Sequence, residues 1–523
     1  MTLNDPDGQY RSAIIGDLRL VGAEPEPETA EPASAVGGLA EAPVDVLIEL
    51  NVGFPGGLER VTHEFLDLWT ENAAAATVDA GPTATPPPVP VRVNDRLYQC
   101  AVTPTLLRGL IAADRRLRTE RPPVIFKVWP DYTLYPQIDR SAPTVKCDAA
   151  LRAFNAAGER TVWAVIDSGI EASHRHFSAL ELAAEAAGVA PVAGLTIGLH
   201  RDFTGLVEPS KLGPLIGAPA PLIDELGHGS HVAGIIAGQC PQGAAPIVAS
   251  SDEPTVGQGF VPRSRTGVLS GMAPRCELVS LKVMRRNRQG NWVTSSSAVI
   301  AALEYVRTEA NVSRSAMRIH GVNLSLGCDW DPAHYAAGQS PLCQAVNELV
   351  ASGVVVVISS GNGGSTVAPN DARQNLSLLG SVTEPGHAEG CITVGATHRD
   401  APLTFGVSWT SGKGPTLDGR AKPDVVAPGE WITSVAVGQV AATAGVNQDG
   451  IDPTLTYAEQ SGTSMAAPHV SGVIAGFLSA RPEMIGRPQA VKQLLCATAT
   501  DLGRERYAQG AGLVDAMRML SSS

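Results

Sequence analysis

The sequence predicts an α/β fold: a large domain with a mostly parallel central sheet flanked by helices, preceded by a small α+β domain. Three observations lead there. From about residue 150 onward, strand-length apolar runs alternate with helix-length segments. Those runs are nearly continuous in hydrophobicity, the pattern of strands covered on both faces. The 523 residues are 44% hydrophobic and 17% charged, enough to bury a large core.

Three regions are expected. Residues 1–43 are rich in Ala, Glu, Pro and Gly and read as a flexible acidic arm. Residues 44–140 carry the order β-α-β-α-β of a small α+β domain. Its strands are expected at 44–51, at 91–102 (strand or hairpin) and at 124–128, with helices at 58–70 and 105–118 and a Pro-rich linker at 80–90. Residues 150–520 form the large domain. Strands are expected at 161–166, 278–283, 321–326, 354–358 and 391–396, and helices at 228–237, 296–310, 341–352, 464–480 and 488–497. The stretch 239–268 is rich in Gly, Pro and Ser and reads as a surface loop insertion.

Composition excludes several functions. With 39 Lys plus Arg against 52 Asp plus Glu, the net charge is −13 and the pI near 5.4. Such a chain lacks the cations that neutralise phosphates, so no nucleic-acid partner is expected. No apolar run approaches the ~18–20 residues of a membrane span. The first residues, Met-Thr-Leu-Asn-Asp, lack the basic and apolar regions of a secretory signal. A soluble, cytoplasmic protein with no membrane partner is expected. Eight cysteines without a C-x-x-C pair read as scattered buried thiols, although Cys328 and Cys343 are near enough in sequence to bridge a local loop.

Three segments carry chemistry. In Val165-Ile-Asp-Ser-Gly169, Asp167 leaves the carboxyl end of an apolar strand, the edge where open α/β sheets bind ligands. Alone, it reads as a strand-terminating turn residue. In Gly227-His-Gly-Ser-His-Val-Ala-Gly234, His228 starts a helix and is flanked by glycines that allow close approach to its ring. His231 reads as a structural, hydrogen-bonded histidine, since H-E-x-x-H is absent and no carboxylate ligand accompanies the pair. In Gly462-Thr-Ser-Met-Ala-Ala-Pro-His-Val-Ser-Gly472, Ser464 stands where loop becomes helix and alone would read as an N-cap. Pro468 is expected to be tolerated as a first-turn residue. Together these supply a carboxylate, a base and a nucleophile in the order Asp…His…Ser, one of three chain orders for this geometry.

On these motifs the chain resembles the subtilisin-like serine peptidases, the subtilases. The resemblance spans about 155–518 and includes Val322-Asn-Leu-Ser-Leu-Gly327, Ser360-Gly-Asn-Gly363, Lys422-Pro-Asp-Val-Val-Ala-Pro-Gly429 and Gly510-Ala-Gly-Leu-Val-Asp515. It departs conservatively at Ser230, where Thr is common. It implies a serine endopeptidase acting on polypeptides through an acyl-enzyme, with Asp167, His228 and Ser464 as triad and Asn362 as oxyanion donor. Without the other motifs Asn362 would be a Gly-Asn-Gly turn. The resemblance also implies that Ser325-Leu326-Gly327 and Ser360-Gly361 wall the P1 pocket. Trp292 lies beside an edge strand where a substrate adds as a β-strand; it either restricts the P4 pocket or packs against the domain. The segment 44–140 resembles the family's propeptide, an intramolecular inhibitor; a permanent accessory domain is the competing reading. No cofactor is required for catalysis. Asn447, Asp449 and Asp452 have oxygens suited to structural Ca²⁺ but lack the spacing of a recognised calcium loop. The alternative function is a catalytically silent peptide-binding pseudoprotease held by its N-terminal domain.

Overall fold

The computed structural model describes residues 44–79, 86–92, 96–116, 121–130, 141–190, 193–207, 220–250, 259–265, 269–313, 316–328, 336–368 and 371–522. The acidic arm expected at 1–43 and the first part of the 80–90 linker lie outside them. The chain divides into two compact units, Met1–Tyr135 and Pro136–Ser523.

The first unit holds a four-stranded antiparallel sheet in the order Val91–Arg92, Leu97–Val102, Val44–Leu50, Ile125–Pro130. Its helices are Gly57–Asp79 and Pro104–Arg116. The first runs well past the 58–70 expected from periodicity. The run Ala73 to Ala76 has no amphipathic pattern but the highest intrinsic helix propensity, and it carries the helix onward. Val46, Ile48, Phe65, Trp69, Tyr98, Leu110 and Val128 form a core. Asp114 is fully buried, and its carboxylate accepts Val124 N–H, Ile125 N–H and the Arg121 guanidinium at 3.0 to 3.1 Å.

The second unit is built on a seven-stranded sheet whose pairings are all parallel. Its order is Val425–Pro428, Ile392–Thr397, Val355–Ser359, Gly321–Leu324, Val162–Asp167, Glu277–Lys282, Arg201–Asp202. Both faces are covered. Trp163, Val165, Val355 and Val357 join one hydrophobic cluster, and Val162, Ala164, Ile166, Val356 and Ile358 join the other. This two-sided burial is why the strand runs are uninterrupted in hydrophobicity. The helix Thr463–Ala480 packs on the first face and is buried along most of its length.

The described residues of the 239–268 segment are not all the surface loop expected. Ile247–Ser250 and Val261–Ser264 pair with each other, and Ile247–Ser250 also pairs with Thr456–Gln460 in a second, four-stranded sheet. Four residues in a Gly/Pro/Ser-rich context carry too little local signal; pairing some 200 residues along the chain defines the strand. All eight cysteines are free thiols, so no bridge joins exposed Cys328 to buried Cys343. Among the described residues no helix is long and apolar enough to cross a membrane.

Candidate active site

Asp167 is the last residue of an interior strand of the parallel sheet, and its carboxylate is fully buried. Oδ1 accepts the Ser168 N–H at 2.8 Å. His228 Nδ1 lies 2.8 and 3.0 Å from the two carboxylate oxygens, so that nitrogen carries the proton. His228 opens the helix His228–Ile236, and its side chain is 23% exposed. Gly229 makes the approach possible: a Cβ there would lie 2.2 Å from Gly169 O and 3.1 Å from Asp167 Cβ. Burial opposes the imidazolium, but the Asp167 carboxylate, its hydrogen bond and the charge of Asp224 outweigh it. The His228 pKa is therefore raised above the ordinary 6.5.

His231, three residues on, is the opposite case. It is fully buried, and its Nε2 lies 3.1 Å from Ala458 O. Burial, only partly countered by that carbonyl, pushes its pKa down to about 3, so it is a neutral packing group.

Ser464 is the second residue of the helix Thr463–Ala480. It is bound to Ser325 twice: its Oγ donates to Ser325 O at 3.1 Å, and Ser325 Oγ donates to Ser464 O at 2.9 Å. Ser325 follows the strand Gly321–Leu324, whose Leu324 pairs with Ile166. Ser464 and Asp167 are thus anchored at the carboxyl ends of adjacent strands. Pro468 lies in the second turn, not the first as expected. Its missing N–H frees the carbonyl four residues back, which is Ser464 O, and Ser325 Oγ supplies the replacement donor.

Asn362 follows the strand Val355–Ser359 by three residues. Its Oδ1 accepts Thr463 N–H at 2.9 Å and Thr463 Oγ1–H at 3.1 Å, while Thr463 Oγ1 accepts Gly361 N–H at 3.1 Å. The amide oxygen is thereby pinned, and Nδ2 is the group left to donate. Gly462 has φ +151°, and a Cβ there would stand 3.2 Å from Asn362 Nδ2.

The two expected pocket walls face a residue that no motif marks. A Cβ on Gly327 or Gly361 would come within 2.5 or 2.6 Å of Thr383 Oγ1, so Thr383 sits between them. It is held there by donating its N–H to Ser360 O at 3.1 Å. Ser325 and Ser360 are buried, Leu326 and Gly361 half-buried. Leu326 and Gly327 also line a cavity of about 130 Å³, together with Thr294, Ser295, Val299 and buried Glu384. Trp292 is not in its lining. The Trp292 indole N–H donates to Gln439 Oε1 at 2.9 Å, and the Arg286 guanidinium covers its ring at 5.2 Å. Asp452 caps the turn Pro453–Leu455 by accepting Thr454 N–H at 2.9 Å, and Asn447 and Asp449 are exposed. Among the described residues no group of three or more His, Cys, Asp or Glu side chains is placed to hold a metal ion.

A parallel α/β sheet presenting an aspartate–histidine pair and a helix-start serine at one edge has the form of a serine-type hydrolase. Residues 158–513 match the family described as the subtilase family, peptidase S8, and the chain belongs to it. It is a serine endopeptidase. It is 28% identical to serine protease AprX of Bacillus subtilis over 370 residues, covering 68% of this chain and 72% of that one. It is 29% identical to subtilisin DY of Bacillus licheniformis over 292 residues, covering 56% of this chain and 77% of that one. A solved structure titled as proteases from Pseudoalteromonas arctica PAMC 21717 superposes with TM-score 0.47 at 21% identity, covering 72% of this chain and 94% of that one.

Proposed function

We propose that Asp167, His228 and Ser464 form the catalytic triad of this endopeptidase. The observation that carries the reading is the Asp167–His228 hydrogen bond, 2.8 Å long, at the sheet edge where Ser464 is anchored. Ser464 Oγ attacks the peptide carbonyl and passes its proton to His228 Nε2. Asp167 holds the tautomer and stabilises the imidazolium without taking the proton itself. The tetrahedral oxyanion is received by Asn362 Nδ2 and the Ser464 N–H, a first-turn group outside the intrahelical ladder. Its collapse expels the amine, which takes the proton from His228 and leaves an acyl-enzyme that water hydrolyses by the same steps.

The P1 side chain enters between Ser325-Leu326-Gly327 and Ser360-Gly361, with Thr383 limiting its depth. Trp292 belongs to the rim, tied to Gln439. The segment 44–140 serves as an intramolecular inhibitor that is cut away, after which 150–520 works as the peptidase domain. The free thiols fit a reducing, cytoplasmic compartment.

A fluorophosphonate probe tests the triad. Wild type is expected to be labelled and Ser464→Ala not. Equal labelling, or none under any condition, overturns the assignment and favours the peptide-binding pseudoprotease. Denaturing gels of the same pair test processing. The wild type should shorten and Ser464→Ala stay full length; if both stay full length while the wild type cuts peptides, the N-terminal unit is a permanent accessory.

A further inference from the structure

Four residues before His228 lies a carboxylate that the triad does not use. Asp224 is 2% exposed. Its Oδ1 accepts Gly227 N–H and Ser168 Oγ–H, both at 2.8 Å. Its Oδ2 accepts Ser230 N–H at 2.8 Å and Ser230 Oγ–H at 2.7 Å. One partner follows Asp167 directly; the others flank His228. The carboxylate therefore joins the end of the aspartate strand to the start of the histidine helix.

The two serines also report its charge state. Ser168 Oγ accepts Gly229 N–H at 2.9 Å, and Ser230 Oγ accepts Glu171 N–H at 2.9 Å. With a lone pair of each occupied, each hydroxyl hydrogen is free to point at Asp224. Burial raises the Asp224 pKa above the ordinary 3.8, and the hydrogen bonds from Gly227, Ser230 and Ser168 work against that rise; four donors converging on one carboxyl group are the environment of an ion. Among the described residues no Lys, Arg or His lies within ion-pair distance of it. A buried anion without a counterion is costly unless donors or a nearby cation compensate. The cation that appears beside it is the His228 imidazolium of the transition state.

We propose that Asp224 is a positioning residue for the reaction: an ionised buried carboxylate that locks the Asp167 strand end to the His228 helix start and adds a second negative charge to the imidazolium. This rests on the triad reading above. The other charged or titratable groups around His228 are known. Asp167 binds its ring; His231 lies one turn on along the same helix. Glu171 Oε2 accepts Asp224 N–H at 3.4 Å. Lys282 donates to Ile223 O at 2.9 Å and lies 4.0 Å from Glu225, which is exposed. Of these, Asp167 and Asp224 raise the His228 pKa, working against burial.

The test compares Asp224→Asn and Asp224→Ser with Ser230→Ala, which removes one side-chain donor and leaves the charge in place. The pH profile of kcat/KM is measured on a peptide substrate, and folding is checked by thermal melting. In the two neutral variants the acid limb should move to lower pH by about half a unit or more, with kcat reduced about tenfold. Asp224→Ser leaves room for water at the four donors, so a folded neutral variant remains if Asp224→Asn does not fold. In Ser230→Ala the limb should stay at its wild-type position. If the neutral variants lose activity with the limb unmoved, Asp224 is scaffold only and the proposal fails. It fails equally if activity and limb are both unchanged. Absence of Ser464 labelling in the wild type would instead sink the triad reading, so the two failures are separable.

Discussion

The two halves of the candidate active site are held in different ways. The aspartate–histidine half is closed by short hydrogen bonds: His228 on Asp167, Ser168 and Ser230 on Asp224, Gly229 on Ser168. The serine half is held through its backbone. Thr463 pins Asn362, and Ser325 takes the carbonyl that Pro468 frees, while the Ser464 hydroxyl itself is turned to Ser325 O. The imidazole is thus already oriented by its carboxylate, whereas the Ser464 hydroxyl is bonded to a backbone carbonyl. Catalytic hydrogen bonds that tighten only with substrate are common in unliganded enzymes.

Substitutions can break this contrast from either side. Ser464→Ala removes the proposed nucleophile and should lower kcat about 10⁶-fold, the size of the corresponding loss in subtilisin; a burst-free, near-background peptide assay would show it. Asp167→Asn keeps the shape but lets the ring adopt the wrong tautomer, and should cost about 10⁴ in kcat. A loss below tenfold would mean that His228 is oriented by other groups. Asn362→Ala removes one oxyanion donor and should cost about 10²–10³ in kcat with little change in KM, again a magnitude taken from subtilisin.

The pH response sharpens the histidine side. Because the His228 pKa is raised above 6.5, kcat/KM should fall on acidification through a pKa above that of a free imidazole. An acid limb centred below 6.5 would contradict this. Stability has a different origin. Burial holds His174 and His231 near 3 and His176 and His469 near 4, all below the unfolded value. The unfolded chain therefore binds more protons between about 4 and 6.5. Melting temperature should drop as pH falls through that window and be flat with respect to these four above it. Replacing His469 by Gln should make the drop shallower.

The smallest effect is expected at Ser325→Ala, which leaves Ser464 O without its replacement donor. It should lower stability by about 1–3 kcal/mol, read as a drop of several degrees in melting temperature. The Asp167–His228 pair should keep its acid limb.

The proposed triad residues are legible because each stands at the end or the start of a strongly periodic segment. Asp167 follows an apolar strand, while His228 and Ser464 open helices, and the short motifs around them are local. Asp224 carries no such signal: four residues before His228 it looks like an ordinary turn acid, and only its four donors distinguish it. Thr383 and Glu384 lie in a stretch with neither helical nor strand periodicity, so nothing local marks their place beside the glycine walls. Position along the chain puts Trp292 beside an edge strand, but its bond to Gln439 spans 147 residues and has no local signature.

By itself the sequence determined the α/β class and the family, and it supplied the three side chains proposed to react, because these are encoded in strand and helix periodicity and in contiguous motifs. Tertiary structure decided the rest. It turned a supposed loop into the strands Ile247–Ser250 and Val261–Ser264, brought Ser325 to Ser464 across 139 residues, and set Asp224 between the aspartate and the histidine. Those features are hydrogen bonds between segments far apart in the chain, and short-range pattern holds no record of which distant partner a strand edge or a buried carboxylate will meet.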